Sequence, residues 1–129
     1  MKIHIAHSRV SGQSEILRSA LKRHFAGYPR DYFLATFLDN HDMNRFLFEC
    51  NSDIEKLKAA AKVQFQLEQP VIIYYGTETG MAHKSPVAVN RPHSDLEARQ
   101  PMNWRNPNIE VFNFYRELIK NRPLGPVDW

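Results

Sequence analysis

The residues best suited to chemistry follow directly on an apolar run. Residues 34–38 are apolar except for Thr36, and the next four, Asp39 to Asp42, read Asp-Asn-His-Asp. Carboxylates and a histidine can accept hydrogen bonds, move protons or stabilise a developing positive charge. A buried strand that ends in such groups is how α/β enzymes present chemistry at the carboxyl edge of a sheet. The same residue types also commonly end a strand and bond turn amides, and the run alone favours that structural interpretation.

A second segment repeats this arrangement later in the chain. Residues 70–78 read Pro-Val-Ile-Ile-Tyr-Tyr-Gly-Thr-Glu, so an apolar and aromatic run again ends in polar residues. A run without polar alternation predicts a strand that is covered on both faces, as in parallel sheets. We therefore expect two strands, at residues 33–38 and 70–78, whose polar ends the rest of the chain must position.

Three amphipathic stretches predict the helices that do this positioning. Apolar residues recur at helical spacing in residues 11–26, 52–68 and 106–122, which indicates one buried face on each. The expected core residues are Ile54, Leu57, Ala61 and Phe65 in the second helix, and Ile109, Phe112, Leu118, Ile119 and either Phe114 or Tyr115 in the third.

Local signals predict where each helix begins. Ser11 can cap the first helix. Ser52 and Glu55 have the spacing of a capping box, in which each side chain bonds the backbone N–H of the other. Asn106 is followed by Pro107, a residue favoured at the first helical position. We expect these three sites to be the helix starts.

Composition indicates a soluble globular chain. The 129 residues are 43% hydrophobic and 24% charged, enough for one small domain with a core. The net charge of +3 is mild and the basic residues are scattered, which argues against nucleic acid as a partner. We expect no membrane contact and a cytoplasmic location, because the chain has no long apolar run or signal-peptide pattern. Cys50 is the single cysteine, so an intrachain disulfide is excluded.

The predicted order leaves the sheet unfinished. It is a helix at 11–26, a strand and polar turn at 33–42, a helix at 52–68, a strand at 70–78, a long loop at 79–105 and a helix at 106–122. Two parallel strands joined by one crossover helix leave two open edges. The chain is therefore expected to be part of a larger α/β structure, or to cover its edges by association.

Several segments in chain order resemble one known family. Residues 37–42 (Phe-Leu-Asp-Asn-His-Asp) resemble the last signature region of the α-amylase family, glycoside hydrolase family 13. Residues 70–78 are similar to the eighth barrel strand of that family, and residues 80–81 and 95–104 to the loop that follows it. Residues 114–119 are similar to the eighth helix. Four ordered segments are far more specific than the Asn-His-Asp triplet alone.

The resemblance implies a fold class and a missing part. It implies an α/β fragment of a (β/α)8 barrel of the TIM type, with two parallel βα units (strands seven and eight) preceded by a helix and completed by association. A whole barrel takes about 250 residues. In the family the nucleophilic aspartate follows strand four and the acid/base glutamate follows strand five, and neither strand has a counterpart here. We expect an α-amylase-related glycoside hydrolase fragment of α-glucan metabolism that is inactive alone.

The resemblance also implies roles for individual residues. Asp42 matches the carboxylate that stabilises the transition state, and His41 the histidine that binds the same sugar. Asp95 and Arg99 match an acid and arginine pair that grips a sugar on the non-reducing side of the cleaved bond. A surface ion pair is an equally good interpretation of these two. Arg45 is expected to be structural and paired with a carboxylate.

The expected ligand is an α-glucan or maltooligosaccharide, and the alternative function is that of a binding or assembly module. Such a module would be a homo-oligomer or would complete a barrel with a chain carrying strands one to six. We predict no cofactor and no metal, because the segments expected to bind calcium in this family are absent. Asp39 and Asp42 are rejected as a catalytic carboxylate pair, since no complete sugar cleft surrounds Asp39.

Overall fold

The computed structural model describes residues 13–29, 31–67, 69–88 and 90–122. Four α-helices follow in order: α1 (Gln13–Ala26), α2 (Phe46–Glu49), α3 (Ile54–Gln66) and α4 (Ile109–Lys120). Two 3-10 turns, at Thr77–Thr79 and Ser94–Glu97, interrupt the segments between α3 and α4. No helix in these ranges is both long and apolar enough to cross a membrane.

The capping box predicted for the second helix is wrong by one residue. The N-cap of α3 is Asp53, whose carboxylate accepts from the backbone N–H groups of Glu55 at 3.0 Å and Lys56 at 3.2 Å. Ser52 has a φ of 61°, which places it in the turn before the helix. Asp53 caps the helix because its extended backbone (φ −79°, ψ 103°) is the usual conformation of an N-cap residue.

The predicted start of the last helix is also wrong. Asn108 caps α4 and accepts from the N–H of Val111 at 3.0 Å. Asn106 instead donates its own N–H to the side chain of Asn103 at 3.2 Å, so it belongs to the preceding loop. The predicted Ser11 cap lies outside the described residues.

Among the described residues, the two predicted strands pair with each other at one parallel bridge, between Thr36 and Val71. Phe37 is a bridge residue as well. Thr36 donates its N–H to the carbonyl of Pro70 at 2.7 Å, and Ile72 donates to the carbonyl of Thr36 at 2.8 Å. No longer strand occurs in the described ranges. The end of the second predicted strand is the 3-10 turn at Thr77–Thr79, which follows Gly76 at a φ of 87°.

Glutamine side chains occupy positions that a longer ladder would need. Leu34 donates its N–H to Gln69 Oε1 at 2.8 Å rather than to a backbone carbonyl. The buried amide of Gln64 donates to the carbonyl of Ile72 at 3.4 Å, where a longer ladder would continue, and also to that of Thr36 at 2.9 Å. These side chains satisfy the backbone on either side of the bridge, because a buried backbone group must find a partner.

The core lies where α3 and α4 cover the bridge. Its buried residues are Leu38, Phe46, Leu47, Cys50, Leu57, Ala60, Ala61, Val111 and Tyr115. The predicted inward face of α3 is confirmed, with Ile54 and Phe65 packed against this cluster. The predicted core face of α4 is wrong in part, because Ile109, Phe112 and Ile119 are 58%, 39% and 53% exposed. Helix α4 therefore keeps an apolar face that nothing in the described chain covers.

Candidate functional site

The four residues singled out from the sequence lie together in the structure. Arg99 Nη2 lies 2.8 Å from Asp42 Oδ1, and Arg99 Nε lies 3.3 Å from Asp95 Oδ2. The same Nε donates to the carbonyl oxygen of His41 at 3.2 Å. His41 Nε2 lies 3.1 Å from Asp42 Oδ2. Arg99 thus joins the loop at 95–99 to the turn at 41–42.

This cluster is open to solvent. The side chains of Asp42 and His41 are 63% and 56% exposed, and that of Arg99 is 43% exposed. Ion pairs between exposed groups are worth about 0–1 kcal/mol each. They cannot hold the cluster together alone, so its geometry must come from the buried groups beneath it.

Asp39 lies directly beneath the turn. It is buried, at 2% exposure. Its Oδ1 accepts from the Thr77 hydroxyl at 2.6 Å, and its Oδ2 accepts from the N–H of Phe46 at 2.8 Å. Burial raises the pKa of the Asp39 carboxyl, and these two hydrogen bonds oppose that rise. Both oxygens face the protein interior, which suits a structural role better than proton exchange with a ligand.

Arg45 is buried beside the turn, at 1% exposure. Its guanidinium carbon lies 4.3 Å from the ring centroid of Tyr74 and 4.8 Å from that of Tyr75, and Nη1 donates to the Tyr75 carbonyl. The expected ion pair with a carboxylate is not formed among the described residues; aromatic faces and a carbonyl take its place. Nη2 is buried without a hydrogen-bond partner in the described chain.

His83, to which the sequence assigned no role in the site, lies beneath the turn and supports it. It is 6% exposed, its Nε2 accepts from the N–H of Arg45 at 3.0 Å, and its Nδ1 lies 2.8 Å from the carbonyl of Ser85. The ring packs 4.2 Å from that of Phe48. No local sequence pattern marks a contact across 38 residues.

Two adjacent tyrosines hold the loop that carries Arg99. Tyr74 donates its hydroxyl to the carbonyl of Ala98 at 3.3 Å, and Tyr75 donates to that of Gln100 at 2.8 Å. Partial burial is the main cause that raises the pKa of Tyr74 to about 12, so this hydroxyl stays protonated and able to donate. The two bonds flank Arg99 and fix the backbone from which its side chain reaches Asp42.

The described residues contain no group of three or more His, Cys, Asp or Glu side chains arranged to hold a metal ion. Trp104, in the loop at 79–105, is 79% exposed. Glu78 has one buried oxygen, Oε2, without a hydrogen-bond partner in the described chain.

Comparison with known proteins places this geometry in a family. The family model "Alpha amylase, catalytic domain" matches residues 4–122. Neopullulanase 2 of Thermoactinomyces vulgaris is 36% identical over 91 residues, which are 69% of this chain and 14% of that protein. Cyclomaltodextrinase of a Bacillus species is 33% identical over 106 residues, which are 79% of this chain and 17% of that protein.

Solved structures agree. A cyclomaltodextrinase superimposes with a TM-score of 0.71 at 30% identity, over 84% of this chain and 18% of that one. An Anoxybacillus α-amylase gives a TM-score of 0.64 at 33% identity, over 84% of this chain and 23% of that one. The relatives are barrel enzymes of the TIM type, which supports a barrel fragment, and this chain spans less than a quarter of their length. The chain therefore belongs to the α-amylase family, glycoside hydrolase family 13.

Proposed function

We propose that this chain supplies the sugar-binding and transition-state-stabilising part of an α-glucan site, and that it does not cleave a glycosidic bond alone. The observation that carries this proposal is the open cluster of His41, Asp42, Asp95 and Arg99, assembled from two distant segments. We assign these segments to the ends of barrel strands seven and eight.

The chemistry of each group fits a sugar ligand. Asp42 can accept hydrogen bonds from sugar hydroxyls, and such bonds strengthen as the sugar ring gains oxocarbenium character. His41, next to it, can bond the same sugar. Arg99 and Asp95 present a donor and an acceptor side by side, which suits a neighbouring sugar unit. Arg99 Nη2 donates to Asp42 Oδ1 at 2.8 Å, so a bound sugar must share or replace that contact.

Hydrolysis requires a second carboxylate on the opposite side of the bond, about 5–5.5 Å or about 6.5–9.5 Å away depending on the stereochemical outcome. Asp39 is near in sequence, but both of its oxygens bond inward to Thr77 and Phe46. Asp95 is joined to the Arg99 cation. Neither has the free, proton-donating position that bond cleavage needs.

The ligand class follows from the relatives. They are named neopullulanase, cyclomaltodextrinase, 4-α-glucanotransferase and maltogenic amylase, names that point to α-linked glucans. We therefore propose a maltooligosaccharide as the ligand of this chain, handled in the cytoplasm.

The test measures binding and turnover with the same purified chain. Calorimetric titration with maltoheptaose should show binding, and Asp42→Asn should weaken it by roughly ten- to a hundredfold, because a charge-assisted hydrogen bond contributes about 1.5–3 kcal/mol. Glu117→Gln, an exposed carboxylate on α4, is the matched control and should bind as the unmodified chain does. No maltose should be released even at high protein concentration. Release that is lost in Asp42→Asn would contradict the assignment of roles.

A second candidate function is assembly, and a specific surface favours it. A groove of about 340 Å³ lies beside α4 and is lined by Ile73, Tyr75, Glu78, Phe112, Tyr115, Arg116 and Ile119. Most of this lining is apolar, and the buried oxygen of Glu78 has no partner in the described chain. An exposed apolar groove of this kind is typical of an interface. We propose that a chain carrying barrel strands one to six fills it, with an N–H or cationic donor opposite Glu78.

A further inference from the structure

We propose that Asp39 and His83 are positioning residues that hold the ligand-binding turn, residues 40–44, in its binding geometry. This inference rests on the proposed function, since the turn carries His41 and Asp42. Each residue bonds one backbone N–H at the end of the turn, and the two N–H groups are consecutive.

The carboxylate of Asp39 makes two connections at once. Oδ2 accepts from the N–H of Phe46 at 2.8 Å, which closes the turn on itself. Oδ1 accepts from the Thr77 hydroxyl at 2.6 Å, which ties the turn to the other segment of the parallel pair. Because Asp39 and Thr77 are 2% and 3% exposed, water does not compete for these bonds. One buried side chain therefore fixes both the shape and the placement of the turn.

His83 makes the second connection, and its contacts determine its tautomer. The N–H of Arg45 can only donate, so His83 Nε2, 3.0 Å away, must be an acceptor. The Ser85 carbonyl can only accept, so Nδ1, 2.8 Å away, carries the proton and donates. A neutral imidazole with the proton on Nδ1 satisfies both partners. This ring spans from the turn to the loop that follows Gly80.

The turn has little else to hold it. Within residues 40–44, Asp42 donates its N–H to Asn40 Oδ1 at 2.9 Å. Asn44 connects outward twice, accepting from the N–H of Val87 at 2.7 Å and donating to Glu49 Oε1 at 2.6 Å, the latter an exposed bond. The remaining contacts of Asp42 are the exposed ones to Arg99 and His41, which contribute little. The buried bonds of Asp39 and His83 are thus the strongest restraints on the position of the Asp42 carboxylate.

The first test does not depend on any sugar. The ¹⁵N shifts of the His83 ring should show a protonated Nδ1 and an unprotonated Nε2, and the amides of Arg45 and Phe46 should exchange slowly with solvent. In His83→Phe, which keeps the ring against Phe48, the Arg45 amide should exchange faster. A proton on Nε2, or unchanged exchange at Arg45, would overturn the proposal.

The second test measures maltoheptaose affinity in variants that differ only in the restraint. Asp39→Ala and His83→Phe should bind about tenfold more weakly, since each loses a buried hydrogen bond that holds the turn. Asp39→Asn should recover most of the affinity, because the asparagine oxygen can still accept from the Phe46 N–H and the Thr77 hydroxyl can rotate to accept from the asparagine amide. His83→Gln should do the same, because a glutamine oxygen can reach the N–H of Arg45.

A matched control separates positioning from general destabilisation. Leu118→Ala removes partly buried packing on α4 without touching the turn, and should bind normally at temperatures where the chain is folded. Equal affinity in all variants would overturn the positioning role. Absence of binding by the unmodified chain would refute the proposed function, while the ring shifts and amide exchange would still decide whether Asp39 and His83 hold the turn.

Discussion

Asp39 directly precedes the ligand-binding turn and Asp42, three residues later, lies within it, yet their environments are opposite. Asp42 is exposed and faces Arg99, whereas Asp39 is buried with both oxygens occupied by Thr77 and Phe46. Environments this different give identical carboxyl groups different tasks. Here the exposed one is available to a ligand and the buried one shapes the backbone that presents it.

The pKa of Asp39 leads to a prediction about stability. Burial raises this pKa above its unfolded value of about 3.9. The folded chain then binds more protons than the unfolded chain, so the contribution of Asp39 to stability is full below about pH 4 and declines as the pH rises through the folded pKa. Asp39→Asn cannot titrate. The unfolding free energy of Asp39→Asn should therefore increase relative to that of the unmodified chain as the pH rises from 4. Urea unfolding across a pH series measures this difference.

Asp53 provides a control of opposite sign. Backbone hydrogen bonding from Lys56 is the main cause that lowers the pKa of Asp53, so its contribution is present above about pH 4 and lost as the pH falls through the lower folded pKa. Asp53→Asn should have a lower unfolding free energy than the unmodified chain above about pH 4, and this difference should disappear as the pH falls. Parallel stability curves for Asp39→Asn and the unmodified chain would contradict the raised pKa of the buried Asp39 carboxyl.

Site residues could be predicted from the sequence only where a motif marks them. The resemblance to the α-amylase family pointed to His41, Asp42, Asp95 and Arg99, although the Asp-Asn-His-Asp run alone favoured a structural turn. The structure brings these four residues together. The support beneath them had no such signal. The bonds from His83 to Arg45 and from Thr77 to Asp39 each cross 38 residues, and pairing over that distance depends on how the whole chain folds.

At the element scale, the three longer helices α1, α3 and α4 were predictable because an amphipathic period is a local property. The four-residue helix α2 (Phe46–Glu49) was not predicted, since it is too short to show that period. The caps were missed by one or two residues, since Ser52 and Asp53, or Asn106 and Asn108, are all competent to cap. Strand pairing depends on neighbours, and the run at 70–78 pairs at one bridge and then turns at Gly76. The long loop at 79–105 contains its own 3-10 turn at Ser94–Glu97.

Whether Asn106 or Asn108 caps α4 can be tested directly. Asn108→Ala removes the side chain that accepts from Val111 and should lower the unfolding free energy by about 1 kcal/mol, the usual cost of losing an N-cap. Asn106→Ala, at an exposed position in the loop, should change it by less than about 0.5 kcal/mol. Chemical denaturation of the two variants side by side measures both values. A larger loss of unfolding free energy in Asn106→Ala than in Asn108→Ala would support the helix start predicted from the Asn106-Pro107 pair.

At the scale of the whole molecule, the chain has more apolar surface than its own core uses. Helix α4 buries Val111 and Tyr115 but leaves Phe112 and Ile119 in the open groove. The chain spans 14–17% of the length of the two curated relatives described above. An uncovered face on an element that packs well on its other side is the expected surface of a part that belongs to a larger assembly.

Assembly can be tested by supplying the missing part. A neopullulanase 2 of Thermoactinomyces vulgaris from which the region matching this chain has been removed should form a one-to-one complex with it, observed by sedimentation velocity. Ile119→Gln should weaken that complex about tenfold, because burying an aliphatic side chain of this size contributes about 1.5–3 kcal/mol. Lys120→Gln, the adjacent exposed position outside the groove, should leave it unchanged. If the chain instead associates with itself and Ile119→Gln abolishes this, the groove binds a second copy. If the chain stays a monomer both alone and with the truncated neopullulanase 2, the assembly proposal is refuted.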